Sequence, residues 1–155
     1  MTSRLRNNLR RCMTLFAWGA LLGISGCGIG ERANQCNTLA RQVNEALKPV
    51  KEFTTEHPEL SHGSGAPEDY AELARRYAQL SETAKATELK DDRIIELRDD
   101  YGILYEQTST ACTDLQASRE KNDLTARARA VRELKRLERR EESLFNRANA
   151  LCEPR

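Results

Sequence analysis

The sequence predicts an all-α fold, in the form of an up-and-down four-helix bundle. Apolar residues recur every three or four positions through most of the chain after residue 31, which is typical of helices with one buried face. Glycine is nearly confined to residues 19–30 and 63–65. The β-branched runs and two-residue turns that mark strands and hairpins are missing from the sequence.

The first helix is expected over residues 32–56. Pro49 lies inside it and predicts a bend near residues 44–48, because proline removes a backbone hydrogen bond. The apolar residues of this helix keep one phase on both sides of Pro49, which favours a single helix. They follow one another at spacings of 3, 4, 3, 4 and 3: Cys36, Leu39, Val43, Ala46, Val50 and Phe53.

A loop is expected over residues 57–66, since they contain a proline and two glycines. Pro67 suits the first position of the second helix, where its missing amide has no partner to lose. That helix is expected to reach about residue 87. Its apolar face holds Tyr70, Leu73, Tyr77, Leu80 and Ala84.

The apolar pattern shifts phase around residues 87–92, where Asp91 or Asp92 is a suitable N-cap. The third helix is therefore expected to run from there to about residue 119, and the alternative is a three-helix bundle with one long helix across this stretch. Tyr105, one position away from the apolar face, is the tyrosine expected to be exposed. That face holds Ile94, Leu97, Tyr101, Leu104, Thr108, Ala111 and Leu115.

Residues 120–123 interrupt the pattern again, and Asn122 or Asp123 can cap the fourth helix. This helix is expected to end at about Cys152. Glu141 falls on its apolar face, so it is the first candidate for a buried polar group. The apolar residues of that face include Ala130, Leu134, Leu137, Leu144, Ala148 and Leu151.

The first 27 residues have the arrangement of a bacterial secretory signal. A basic stretch with four arginines precedes about 13 apolar residues from Cys12 to Ile24. The sequence Ile24-Ser25-Gly26-Cys27 then resembles the lipobox of bacterial lipoproteins. That resemblance implies cleavage before Cys27, a covalent lipid on its thiol, and acylation of its new amino group. An uncleaved membrane-spanning anchor is the alternative, although a span needs about 20 apolar residues.

The lipoprotein resemblance defines three expected segments. They are a signal peptide over residues 1–26, a lipidated tether over 27–31 and a helical domain over 32–152. By analogy with lipoproteins of Gram-negative bacteria, Gly28 in the second mature position favours the outer membrane over the inner membrane. The expected location is thus the cell envelope, with the protein held on a membrane by its lipid.

Cys36, Cys112 and Cys152 remain after lipidation, and an exported protein is in an oxidising compartment. The first helix begins and the fourth ends at the same end of an up-and-down bundle, which predicts a disulfide between Cys36 and Cys152. Cys112 is about 30 Å along the third helix at 1.5 Å per residue. It is therefore out of reach of both and is expected to remain a reduced core residue.

Charge excludes nucleic acid as an expected partner. The mature chain carries 21 basic and 24 acidic residues, and nucleic-acid-binding domains are strongly basic. The fourth helix differs, because residues 121–147 contain nine basic and five acidic residues. Either these charges line the rims of neighbouring helices, or they form a face for anionic headgroups or an acidic partner. Glu133, Glu138, Glu141 and Glu142 interrupt the basic stretch and favour the first interpretation.

No catalytic motif, metal site or non-covalent cofactor site is predicted. Glu59 and His62 have the Glu-x-x-His spacing of di-metal bundles, but a single such motif in a glycine-rich loop is insufficient for that site. The expected function is a non-enzymatic binding or scaffold module, anchored in the envelope, which contacts a protein partner through its helix faces. The alternative is a bundle that binds a ligand or metal in its interior.

Overall fold

The structure, a computed structural model, describes residues 29–153 and confirms the all-α four-helix bundle. No strand occurs in this part of the chain. Its elements, in chain order, are α1 (Ile29–Glu56), a 3₁₀ helix (Pro58–His62), α2 (Pro67–Lys85), α3 (Asp92–Glu120) and α4 (Leu124–Cys152).

Two aspartates separate the last three helices, as the sequence predicts. Asp91 caps α3 by accepting a hydrogen bond from the amide of Arg93, with 3.1 Å between the nitrogen and the carboxylate oxygen. Asp123 caps α4 by accepting from the amide of Ala126 at 2.9 Å. Each cap satisfies an amide that has no partner within its helix. The alternative of one helix from residue 67 to 119 is therefore excluded.

Helix α3 is central, since it packs extensively against both α2 and α4. It buries residues on two sides rather than along one stripe, because each neighbour covers a different face. Helix α1 packs mainly against α2 and completes the core. The buried residues of α3 are Ile94, Leu97, Tyr101, Gly102, Leu104, Tyr105, Ala111, Cys112, Leu115 and Ser118.

One end of the bundle, called the disulfide end below, holds the start of α1 and the turn between α2 and α3. The Arg32 side chain donates to Asp91 at 2.8 Å. The side-chain oxygen of Gln35 accepts from the amides of Lys90 and Asp91, at 2.6 and 2.9 Å. These contacts fix the turn against α1.

The opposite end, called the loop end, is organised around Gly63. Its backbone is left-handed, with φ of 69°, a conformation that glycine adopts without steric cost. The carbonyl of Gly63 accepts hydrogen bonds from Arg119, at 2.8 Å, and from Arg127. Helices α3 and α4 thereby hold the loop that precedes α2.

The helix boundaries differ slightly from those predicted. Helix α1 includes residues 29–31, which were assigned to the tether, and α2 ends two residues early at Lys85. The loop after α1 contains the 3₁₀ helix. Helix α1 continues through Pro49, and the bend at 44–48 remains a prediction.

Candidate functional site

The lipobox residues Ile24, Ser25, Gly26 and Cys27 lie outside the described residues. Within residues 29–153, no helix combines the length and the apolar composition that a membrane crossing requires. The signal peptide and the lipid anchor therefore stay predictions from the sequence.

Cys36, Cys112 and Cys152 lie where the sequence places them. Cys36 and Cys152 form a disulfide with Cα atoms 5.9 Å apart, which joins the start of α1 to the end of α4. Cys112 is a free thiol without solvent exposure. Burial in apolar surroundings raises the pKa of Cys112 to about 12, so the thiol stays protonated and unreactive at neutral pH.

Some basic side chains of α4 pair with residues of a neighbouring helix, as expected if the basic charges line the rims of the adjacent helices. Arg147 pairs with Asp100 of α3, and Arg140 lies 3.5 Å from the same carboxylate. Arg140 also donates to Gln107 at 2.9 Å. These contacts attach α4 to the neighbouring rim of α3.

Four other cations of α4 project outward and define what we call the basic face: Arg129, Arg132, Lys135 and Arg139. All four are exposed, and none has a hydrogen bond or ion pair to another residue in the described part of the chain. Spacings of three, three and four residues keep them on one side of the helix. At 1.5 Å per residue the face is about 15 Å long.

The acidic residues of α4 lie beside this surface, and Glu133 is one helical turn from Arg129. Glu133 and Glu138 are partly buried, and Glu133 pairs with Arg136 at 2.5 Å. From Leu124 to Arg139, the fully exposed residues are basic, apolar, small or hydroxyl-bearing. The first exposed acid, Glu142, lies one turn beyond the face. Whether these glutamates divide the basic stretch functionally stays a prediction from the sequence.

A group of tyrosines forms the polar part of the core. Tyr105 is 1% exposed, which corrects the prediction that it would be exposed. Its ring stacks with those of Tyr77 and Tyr101, at centroid distances of 6.3 and 5.9 Å. Its position off the apolar stripe of α3 is covered because α3 is buried on two sides. Among the described residues, the Tyr105 hydroxyl has no hydrogen-bond partner.

Glu141 lies beside this group, as its position on the apolar face of α4 predicts. The residue keeps some exposure, yet desolvation of its carboxyl group, helped by the nearby charge of Glu138, raises the pKa of Glu141 to about 7. The negative charge of Glu141 in turn contributes to the raised pKa values of Tyr101 and Tyr105, whose main cause is burial.

A small cavity beside the disulfide has room only for water-sized molecules. It has a volume of about 30 Å³ and is lined by Asn44, whose buried side-chain oxygen has no partner within residues 29–153. Organic ligands occupy cavities of roughly 300 Å³ or more. The other residues around the cavity are Cys36, Leu39, Ala40, Val43, Leu97, Tyr101, Phe145, Ala148 and Cys152.

The loop end brings together three residues that the sequence does not associate. The Nδ1 atom of His57 lies 3.2 Å from a carboxylate oxygen of Glu59 and 3.5 Å from one of Asp69. The side chain of His62, the partner of Glu59 in the sequence motif, lies outside the described residues. His57 and Glu59 are separated from Asp69 by a loop and the start of α2. The sequence therefore contains no regular spacing that would identify these three residues as a group.

Comparison with known proteins assigns no relative. No protein-family model matches the chain. No curated protein and no solved structure matches it significantly either. Function therefore has to be argued from the residues described above.

Proposed function

We propose that this chain is a lipid-anchored, non-enzymatic binding module of the bacterial cell envelope, and that the basic face holds an acidic surface of a protein partner. The observation that carries the proposal is the concentration of four unpaired cations within about 15 Å of one exposed helix face. Complementary charge of this kind steers association and selects the partner.

The position of the basic face favours a protein over the lipids of the anchoring membrane. Arg139 and Arg129 precede Cys152 by 13 and 23 residues, or about 20 and 35 Å along α4. The disulfide end is also where Ile29 follows the proposed lipidation site. Charges in solution are screened beyond roughly 8 Å at physiological salt, so an upright bundle presents the face away from the headgroups.

A binding role also fits the chemistry of the described residues better than catalysis or ligand storage. The free thiol of Cys112 is buried and has a pKa of about 12, which removes it as a nucleophile. The desolvated carboxyl group of Glu141 and the side-chain oxygens of Asn44 and Tyr105, which lack partners among the described residues, favour the alternative of an interior ligand. Against it stands the volume of the cavity beside Asn44, which is only about 30 Å³.

Site-specific photocrosslinking in cells tests the proposal. Ala128 is exposed beside the basic face, and Ala78 is exposed on α2, so a benzophenone amino acid at either position makes a matched pair. We expect a defined protein adduct from position 128 and none from position 78. The double variant Arg132→Glu/Arg139→Glu should reduce the adduct about thirtyfold, because each reversal opposes an acidic partner by about 1 kcal/mol.

The double variant Lys90→Glu/Arg93→Glu is the charge-matched control, since both residues are exposed and remote from the face. It should leave the adduct unchanged. Equal losses in both double variants would indicate a net-charge effect and overturn the assignment of the face. Crosslinks to lipid alone would contradict the protein partner.

The anchor has its own test, independent of the partner. The mature protein should show cleavage before Cys27 and added acyl mass in intact mass spectrometry. Cys27→Ala should accumulate as uncut precursor, because the thiol is the site that the lipobox resemblance implies. Normal processing of this variant would refute lipidation, and membrane fractionation would decide between outer and inner membrane.

A further inference from the structure

The loop end holds three side chains with the donor atoms of a metal site. One atom each from His57, Glu59 and Asp69 lie within 4.8 Å of one another. All three residues are partly buried. They come from the residue directly after α1, the 3₁₀ helix and the first turn of α2, so the group spans the connection between α1 and α2.

The surrounding structure orients these donors. The His57 ring packs on Phe53 with centroids 4.4 Å apart. One carboxylate oxygen of Asp69 accepts from the amide of Ala66 at 3.1 Å, and the other faces His57. Backbone and ring contacts of this kind fix ligand geometry around bound metals.

The distances match those between ligands of one small ion. Zinc binds imidazole nitrogen and carboxylate oxygen at about 2.0–2.1 Å, and a tetrahedral arrangement then separates two ligands by roughly 3.3 Å. The two distances from His57 Nδ1, 3.2 and 3.5 Å, lie on either side of that value. The third pair, the carboxylate oxygens of Glu59 and Asp69, lies within 4.8 Å.

We propose that His57, Glu59 and Asp69 bind one divalent transition-metal ion, of which Zn²⁺ is the best-fitting representative. An imidazole nitrogen with two carboxylates suits zinc, whereas magnesium and calcium prefer sites made of oxygen alone. Three protein ligands leave a fourth position for water or for a donor atom of a bound molecule. The site goes beyond the proposed binding face and is independent of it.

Calorimetric titration of the full-length protein with Zn²⁺, with the disulfide intact, tests the site. We expect one ion per chain, a higher thermal unfolding temperature with zinc, and no competition from Mg²⁺. Because protons compete with metal for the imidazole nitrogen, binding should weaken as the pH is lowered. His57→Gln and Asp69→Asn should each weaken binding at least about tenfold.

Glu68→Gln is the matched control, since Glu68 is exposed, adjacent to Asp69 and outside the group. It should bind zinc as the unmodified protein does. Glu59→Gln serves as a third ligand variant if Asp69→Asn loses its helical circular dichroism. Absence of zinc binding, equal binding by the ligand variants, or equal loss in Glu68→Gln would each overturn the proposal.

Discussion

At the scale of single residues, Glu141 has the clearest pH-dependent consequence. Its carboxyl group has a pKa of about 7 in the fold, well above the ordinary value near 4.3. The folded chain therefore binds a proton more tightly than the unfolded chain does. Between about pH 4.5 and 7, stability falls as the pH rises, because ionisation requires a charge in a desolvated position.

Glu141→Gln should abolish this dependence. Relative to the variant, the unmodified protein should lose on the order of 2 kcal/mol of unfolding free energy between pH 5 and pH 8. A full shift from 4.3 to 7 corresponds to about 3.7 kcal/mol at 1.36 kcal/mol per pH unit. Starting the comparison at pH 5 and the partial exposure of the residue both reduce it. Urea denaturation at several pH values measures the difference. Glu142→Gln, which is exposed, is the control, and parallel profiles for the protein and Glu141→Gln would contradict the explanation.

Sequence patterns identify residues on a stripe better than residues between two stripes. Glu141 could be singled out because it falls on a stripe of apolar residues. Tyr105 could not, because its burial requires knowing that α2 and α4 both cover α3. The association of His57 with Asp69 could not be predicted from the sequence either, because loop geometry rather than a fixed spacing brings them together.

At the scale of elements, the turn between α2 and α3 depends on one side chain of another helix. The Gln35 oxygen accepts from the amides of Lys90 and Asp91. The change of phase in the apolar pattern around residues 87–92 predicts a turn in which all backbone amides are open to solvent. The structure instead protects the two amides that lie next to α1.

Gln35→Ala should expose both amides to hydrogen exchange. Loss of a hydrogen bond of about 1 kcal/mol corresponds to roughly fivefold faster exchange at residues 90 and 91. Native-state exchange followed by mass spectrometry or NMR measures this. Asn37→Ala, an exposed change on the same helix, should leave these rates unaltered. Fast exchange of both amides in the unmodified protein would show that Gln35 does not hold the turn.

Helix boundaries were predictable because they depend on local chemistry. Pro67, Asp91 and Asp123 each start a helix through contacts within a few residues. The charge pattern of α4 was harder to interpret. Counting Glu133 and Glu138 along the chain does not show which cations they pair with. Only the fold separates Arg136, which pairs with Glu133, from the four cations of the basic face, which have no partner among the described residues.

At the scale of the whole molecule, the disulfide joins residues 116 positions apart and connects the first and last helices. Its pairing was predictable from topology alone, because only an even number of antiparallel helices brings these two ends together. Closing so long a loop restricts the unfolded chain strongly. The loop-entropy estimate is about 4.7 kcal/mol for 100 residues, as an upper figure.

Replacing both cysteines, Cys36→Ser with Cys152→Ser, should lower the unfolding free energy by up to about 4 kcal/mol while the helical circular dichroism is kept. Urea denaturation measures the change, and Cys112 should remain inaccessible to alkylation in the folded variant. Peptide mapping without reductant should recover the Cys36–Cys152 link. A link from Cys112 to either residue would contradict the four-helix topology.

The disulfide also changes what proteolysis can remove. Residues 36–152 form a covalently closed ring, so one peptide-bond cut anywhere within it leaves both pieces joined through sulfur. A protease that opens the loop at 57–66 produces a nicked molecule that still carries the basic face. Releasing that face from Cys36 by cuts within the ring requires two separate cleavages. Its loss should therefore show a lag after the first cut rather than a simple exponential decay.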